Sequence, residues 1–227
     1  LAEDLKPNRL EAAKDVAAEF INGRPNDNIG ITLFAGETFT QCPLTVDHAV
    51  LLDMIHNIKC GLIEDGTAVG MGVANAVTRL KDSKAKSKVI ILLTDGTNNK
   101  GDISPLTAAE IAKSFGIRVY TIGVGTNGMA PYPYPVGNTV QYINMPVEID
   151  EKTLTQIAGT TDGNYFRATS NSKLKEVYEE IDKLEKTKLN VKEYSKREED
   201  YRWFALAAFL CVLLEVLLRN SILKKIP

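Results

Sequence analysis

The segment Val89-Ile90-Ile91-Leu92-Leu93-Thr94-Asp95-Gly96 limits what this chain can fold into more than any other. It is apolar on both alternations and then stops at a carboxylate and a glycine. A strand with no polar face must be covered on both sides, as parallel strands between helices are. In open α/β sheets, ligands sit in the crevice at the carboxyl ends of the strands, and Asp95 is placed at such an end. Asp65-Gly66-Thr67 precedes a helical pattern and places Thr67 at the mouth of the same crevice. A hydroxyl and a carboxylate converging there suit a hard divalent cation. Plain local roles suit the same residues equally well: Thr67 as a helix N-cap, Asp95 as an Asx turn before Gly96.

The rest of the pattern alternates strands with helices. Residues 8–22 carry Leu10, Ala13, Val16, Ala17, Phe20 and Ile21 at helical spacing. Residues 28–35 read as a strand, and 38–44 as a second strand paired antiparallel at the sheet edge. A helix is expected over 46–58. Thr67 is expected to cap another, with Val69, Val73, Ala76, Val77 and Leu80 inward. Ser104-Pro105 opens a helix that ends at Phe115-Gly116, followed by a buried strand over 117–125. Residues 126–148, with Tyr132, Tyr134 and several prolines, read as a long loop that either recognises a partner or serves as a stiff connector. Asp150 caps a helix, 164–168 form a short strand, and Ser170 or Ser172 caps a last helix. The fold class is a doubly wound, Rossmann-like α/β domain: a mostly parallel sheet with one antiparallel edge strand.

The 227 residues suffice for one sizeable core. A net charge of −2 and a pI near 5.8 give no case for nucleic-acid binding. Three cysteines without a CxxC pair do not support a zinc or redox motif; Cys42 and Cys60 are either a pair or free thiols. His48 and His56 lack a carboxylate motif and read as surface or packing residues. Gly123, Gly125 and Gly128 lack the helix that a dinucleotide loop requires.

The character changes near the C-terminus. Residues 188–201 are charged and read as a stalk, 202–223 as a transmembrane helix, and 224–227 as a basic tail. The apolar stretch 203–218 would span about 24 Å as a helix, short of the roughly 30 Å hydrocarbon core, so the span is extended to Leu223. Glu215 is its one central blemish; a buried core or dimerisation helix is the alternative. Arg219, Lys224 and Lys225 favour a cytoplasmic tail, with the α/β domain outside the cytoplasm.

Long stretches carry a family resemblance: LAEDLKPNRLEAAK, FTQCPLTVDHAVLL, GLIEDGTAVGMGVANAVTRLK, VIILLTDGTNNKGDISPLTAAEIAK, IRVYTIGVGTNGMAPYP and GNYFRATSNSKLKEVYEEIDKLEKT. Over residues 1–187 the chain resembles the von Willebrand factor A (VWA) domain, and more narrowly the bacterial aerotolerance (Bat-type, BatA-like) membrane proteins. The resemblance implies a metal-ion-dependent adhesion site (MIDAS) built from three loops. Thr67 matches the second loop's Thr and Asp95 the third loop's Asp. The first, Asp-x-Ser-x-Ser, and the first strand would fall before Leu1. The chain is accordingly read as a fragment with a gap in its sheet between the strands at 28 and 88, and with weak or absent Mg²⁺ (or other divalent cation) binding.

The expected function is a membrane-anchored, metal-dependent protein-binding module, not an enzyme, acting as scaffold or sensor. The resemblance implies other Bat-type proteins and a MoxR-type AAA+ ATPase as partners, membrane lipid around the span, and the bacterial inner membrane, with the VWA domain periplasmic, as the location. The alternatives are a metal-dependent hydrolase or phosphoryl-transfer enzyme using Asp95, for which no nucleophile with an adjacent base is evident, and a structural membrane oligomer with a vestigial site.

Overall fold

Helix α1 (Arg9–Asn22) opens the element order. Strands β1 (Ile29–Phe34) and β2 (Thr38–Thr45) follow, then helices α2 (His48–His56) and α3 (Val69–Leu80), strand β3 (Val89–Thr94) and helix α4 (Pro105–Ser114). Strands β4 (Arg118–Val124), β5 (Met129–Val136) and β6 (Thr139–Pro146) lead to helix α5 (Glu151–Thr160), strand β7 (Tyr165–Ala168), and helices α6 (Asn171–Ser195) and α7 (Tyr201–Ser221). This computed structural model describes residues 2–61, 64–136, 139–195 and 201–221. The chain divides into one unit, Leu1–Glu185, and a second, Lys186–Pro227.

Helix starts follow side-chain chemistry. Asn8 Oδ1 accepts from Glu11 N at 2.9 Å, Ser104 Oγ from Thr107 N at 3.1 Å and Asp150 Oδ1 from Thr153 N at 3.0 Å. Each satisfies a backbone donor that the first helical turn leaves unpaired.

The parallel sheet runs β3-β4-β7. Its middle strand explains the doubly wound architecture by simple alternation. Val119 belongs to the core shared with Val73 and Val77 of α3, Ala108 and Ala112 of α4, and Leu154 and Ile157 of α5. Tyr120, Ile122 and Val124 point the other way, into a core with Ala12 and Val16 of α1 and Leu174, Val177 and Ile181 of α6. Burying each large aliphatic side chain contributes roughly 1.5–3 kcal/mol. A smaller cluster joins Ile21, Cys42, Leu51 and Ile55.

Several expectations need correcting. In place of a single sheet with one antiparallel edge strand, the described residues form three sheets: β1-β2 antiparallel, β3-β4-β7 parallel and β5-β6 antiparallel. No ladder joins β1 to β3, where the break was expected.

The stretch 126–148 is not a loop; it holds the β5-β6 hairpin. Pro131, Pro133 and Pro135 alternate along β5, opposite Asn144, Tyr142 and Val140. Proline has no N–H, so the residues between them carry the donors that face β6, and the prolines fall on the outer edge, where strands tolerate them.

Cys42 and Cys60 are free thiols. Residues read as the beginning of a stalk continue α6 as helix to Ser195, while 196–200 lie outside the described residues.

Among the described residues no helix is long and apolar enough to cross a membrane. The segment expected to do so, 202–223, coincides largely with α7; residues 222 and 223 lie outside the described set.

Candidate functional site

The crevice forms where three loops meet at the carboxyl ends of the strands. After β3, the chain turns at once: Gly96 N donates to the buried Thr94 hydroxyl at 3.3 Å. This leaves the Asp95 side chain 55 % exposed at the strand end.

The second loop is strapped to its neighbours by backbone bonds. Gly36 N donates to Glu64 O at 2.8 Å, and Ala68 N to Ala35 O at 2.7 Å, which ties Asp65-Gly66-Thr67 to the end of β1. Asn99 Oδ1 accepts from Thr67 N at 2.8 Å, while Thr67 O accepts from Asn99 N at 3.0 Å and Lys100 N at 3.3 Å. Thr67 does not cap α3 as expected. Ala68 holds the cap position without a side-chain bond, and Asn98 Oδ1 takes the Gly70 N–H at 3.4 Å instead. The freed Thr67 hydroxyl packs against the next loop: a Cβ on Gly96 would lie 3.2 Å from Thr67 Oγ1. The Thr67 hydroxyl thus faces Gly96, the residue that follows Asp95 in the chain. Asp65, Gly66, Thr67, Asn99 and Lys100 line an open pocket there.

Two residues with no warning in the sequence complete the electrostatics. Arg9, the first residue of α1, donates from Nε to Asp4 Oδ1 and from Nη2 to Asp4 Oδ2, both at 2.7 Å. Its remaining nitrogen, Nη1, donates to Asp95 Oδ2 at 3.1 Å. The Asp4 side chain is only 3 % exposed and also accepts from Thr126 N at 2.7 Å. Burial works to raise the Asp4 pKa, but the guanidinium and the Thr126 N–H outweigh it and hold the carboxyl below its ordinary value. Gly125 is needed for this approach. Its φ is +143°, and a Cβ there would stand 2.8 Å from Arg9 Nη2.

The β5-β6 hairpin borders the crevice. Burial, then the charges of Asp65, Cys60 and Asp95, push the Tyr132 phenol above its ordinary value. The hairpin is tied to the N-terminal segment by Glu3 N donating to Pro131 O at 3.0 Å and Tyr142 Oη donating to Glu3 at 3.1 Å. Tyr134 is exposed.

The other candidates have ordinary roles. His48 Nε2 bonds Asp27 O and His56 Nδ1 bonds Leu52 O. The glycines of GVGTNG lead into β5, not into a helix. Asp102 is exposed.

As a divalent-cation site, the chain offers the Thr67 hydroxyl, the Asp95 carboxylate, which already carries a guanidinium, and the Asp65 carboxylate of the pocket wall. Among the described residues no group of three or more His, Cys, Asp or Glu could hold a metal ion. Thr67 and Asp95 fit as two members of a larger ligand set, not as a site by themselves.

The family model of the von Willebrand factor type A domain matches residues 3–180. An uncharacterized protein of Borreliella burgdorferi is 26 % identical over 220 residues, covering 96 % of this chain and 64 % of its own length. The chain thus spans less than two thirds of that relative. The crystal structure of BatB from Bacteroides thetaiotaomicron is 33 % identical, with a TM-score of 0.70, covering 82 % of this chain and 93 % of the other. That of an aerotolerance-related membrane protein from Bacteroides fragilis is 30 % identical with the same TM-score, covering 81 % and 90 %.

Proposed function

The chain belongs to the von Willebrand factor type A family, and from that premise we propose that it is an adhesion-type protein-binding module in a membrane-associated assembly. One observation supports this reading: the Thr67 hydroxyl, 28 residues before Asp95 in sequence, packs against Gly96, the neighbour of Asp95, with the two loops strapped together by backbone bonds. In this reading Mg²⁺ or another divalent cation is held by Thr67, Asp95 and an Asp-x-Ser-x-Ser loop of the family type. The ion would supply an electrophilic centre for an acidic side chain of a partner. Asn98 and Asn99 use their amide oxygens on backbone N–H groups, and no nucleophile–base pair faces Asp95 among the described residues, which favours binding over catalysis.

Similarity to BatB and to an aerotolerance-related membrane protein supports a scaffold or sensor role in a stress or aerotolerance complex. Other Bat-type proteins and a MoxR-type ATPase are the proposed partners. Association with the bacterial inner membrane is proposed from these two similarities, with α7 as the contact and not as a span. Along it Phe209, Leu210, Val212, Leu213, Leu214 and Val216 are exposed, and such a surface calls for lipid or another apolar partner. The VWA unit is placed on the periplasmic side.

Capture of a purified Bat-type partner, with Mg²⁺ and with EDTA, tests the reading. Magnesium-dependent capture that is lost in both Thr67→Ala and Asp95→Ala is expected. Equal capture under all conditions and by both variants overturns it. A thiol label applied outside intact spheroplasts should reach a cysteine placed at Ser172; protection of that cysteine overturns the orientation.

A further inference from the structure

Resting on the reading of Thr67 and Asp95 as a cation-type pair, we propose that Arg9 is the resident cation of their crevice. It is a fixed positive charge that holds Asp95 and competes with a divalent ion for it. Every part of the guanidinium fork is assigned. Nε and Nη2 lie on the two oxygens of Asp4, and Nη1 lies on Asp95 Oδ2. The fork is not free to swing aside, because Asp4 is buried and would be left as an unpaired charge. Asp4 is itself fixed by the Leu5 and Thr126 N–H groups, and the Thr126 carbonyl is in turn held by Arg167 Nη2 at 2.9 Å. The Arg9 side chain is 10 % exposed, so solvent screens it little.

The charges decide the consequence. Asp4 and Arg9 cancel, and Asp95 is the net negative charge of the three. Its Oδ2 faces the guanidinium, which leaves Oδ1 of a half-exposed carboxylate for any ligand. An ion taken there lies within one carboxylate's width of Nη1, and the two positive charges repel. Lys100, which lines the pocket beside Asp65, is paired with Glu64 at 3.7 Å, so Arg9 is the cation that faces Asp95 directly. Arg9 thus keeps Asp95 oriented and compensated without a metal, and makes the crevice a poor divalent site until its hold on Asp95 is weakened.

Manganese binding measured by electron paramagnetic resonance, on the whole chain and its variants, tests the competition. Asp4→Asn/Arg9→Gln removes the buried pair together, so that neither charge is stranded. It should bind Mn²⁺ about tenfold more tightly than the parent chain, and adding Asp95→Asn should abolish the gain. Arg9→Lys keeps a charge for Asp4 but loses the fork that reaches Asp95, and should shift affinity in the same direction; it decides the matter if the double variant does not fold. Affinity unchanged or lowered in the folded variants overturns the role of Arg9. That result is separable from failure of the site reading, which would show as partner capture indifferent to Mg²⁺ and to Asp95→Ala.

Discussion

Arg9 and Asp95, 86 residues apart in sequence, meet at 3.1 Å across the carboxyl ends of the parallel strands. The contact joins the first helix to the loop after β3. It sets a guanidinium against a half-exposed carboxylate, and it is anchored by Asp4, buried behind it.

Truncating the arginine should therefore cost stability well beyond a surface ion pair. Arg9→Ala leaves the Asp4 carboxylate buried and unpaired, a loss of about 3–5 kcal/mol. Asp4→Asn/Arg9→Gln should cost much less, since no charge is stranded. Urea denaturation of the three proteins checks the order.

Gly70 fixes how closely α3 approaches the loop before α4. A Cβ at that position would fall 2.0 Å from Ile103 O. Gly70→Ala must push the loop and α3 apart, with an expected loss of about 1–3 kcal/mol, read as a lowered melting temperature.

Glu185 gives a pH dependence at the opposite end of the sheet. Burial pushes its carboxyl up, but the Tyr120 hydroxyl at 2.7 Å, the Ser87 hydroxyl at 2.9 Å and the Arg118 guanidinium outweigh it, and the net shift is downward. The unfolded chain therefore takes up the proton first as pH falls. The contribution is whole above the unfolded value of about 4.3 and is lost as pH drops through the lower folded value. Stability in urea should fall as pH drops below about 4.3, and less steeply in Glu185→Gln.

The alternating prolines of β5 protect its outer edge. Pro133→Ala/Pro135→Ala restores two outward N–H groups on an exposed, uncharged hairpin. Concentration-dependent association is expected in sedimentation velocity, where the parent chain should show less.

Those same prolines show why part of the fold was illegible. Residues 129–136 read as a loop because proline is rare in strands; its alternate placement, which matches the two-residue period of an edge strand, carries meaning only once β6 lies beside it. The cap at Thr67 failed for a related reason. Local chemistry offers the hydroxyl to α3, but Asn98 and Asn99, brought in from the loop after β3, take the backbone donors. Ser104 and Asp150 cap as read because no distant group competes for their turns.

Residue order and periodicity alone determine the alternation of helices and strands, the doubly covered β3, and the placement of Asp95 at the end of that strand. These depend on local backbone geometry and on which face of an element is apolar, and both are written in neighbouring residues. Only the tertiary structure decides that Asp4 and Arg9 belong to the same crevice. Their spacing looks like an ordinary helix entry, and their meeting with Asp95 depends on α1 packing over the parallel sheet, with Gly125 leaving room for the guanidinium. A charge buried by that packing has to find its counter-charge wherever the fold has put one.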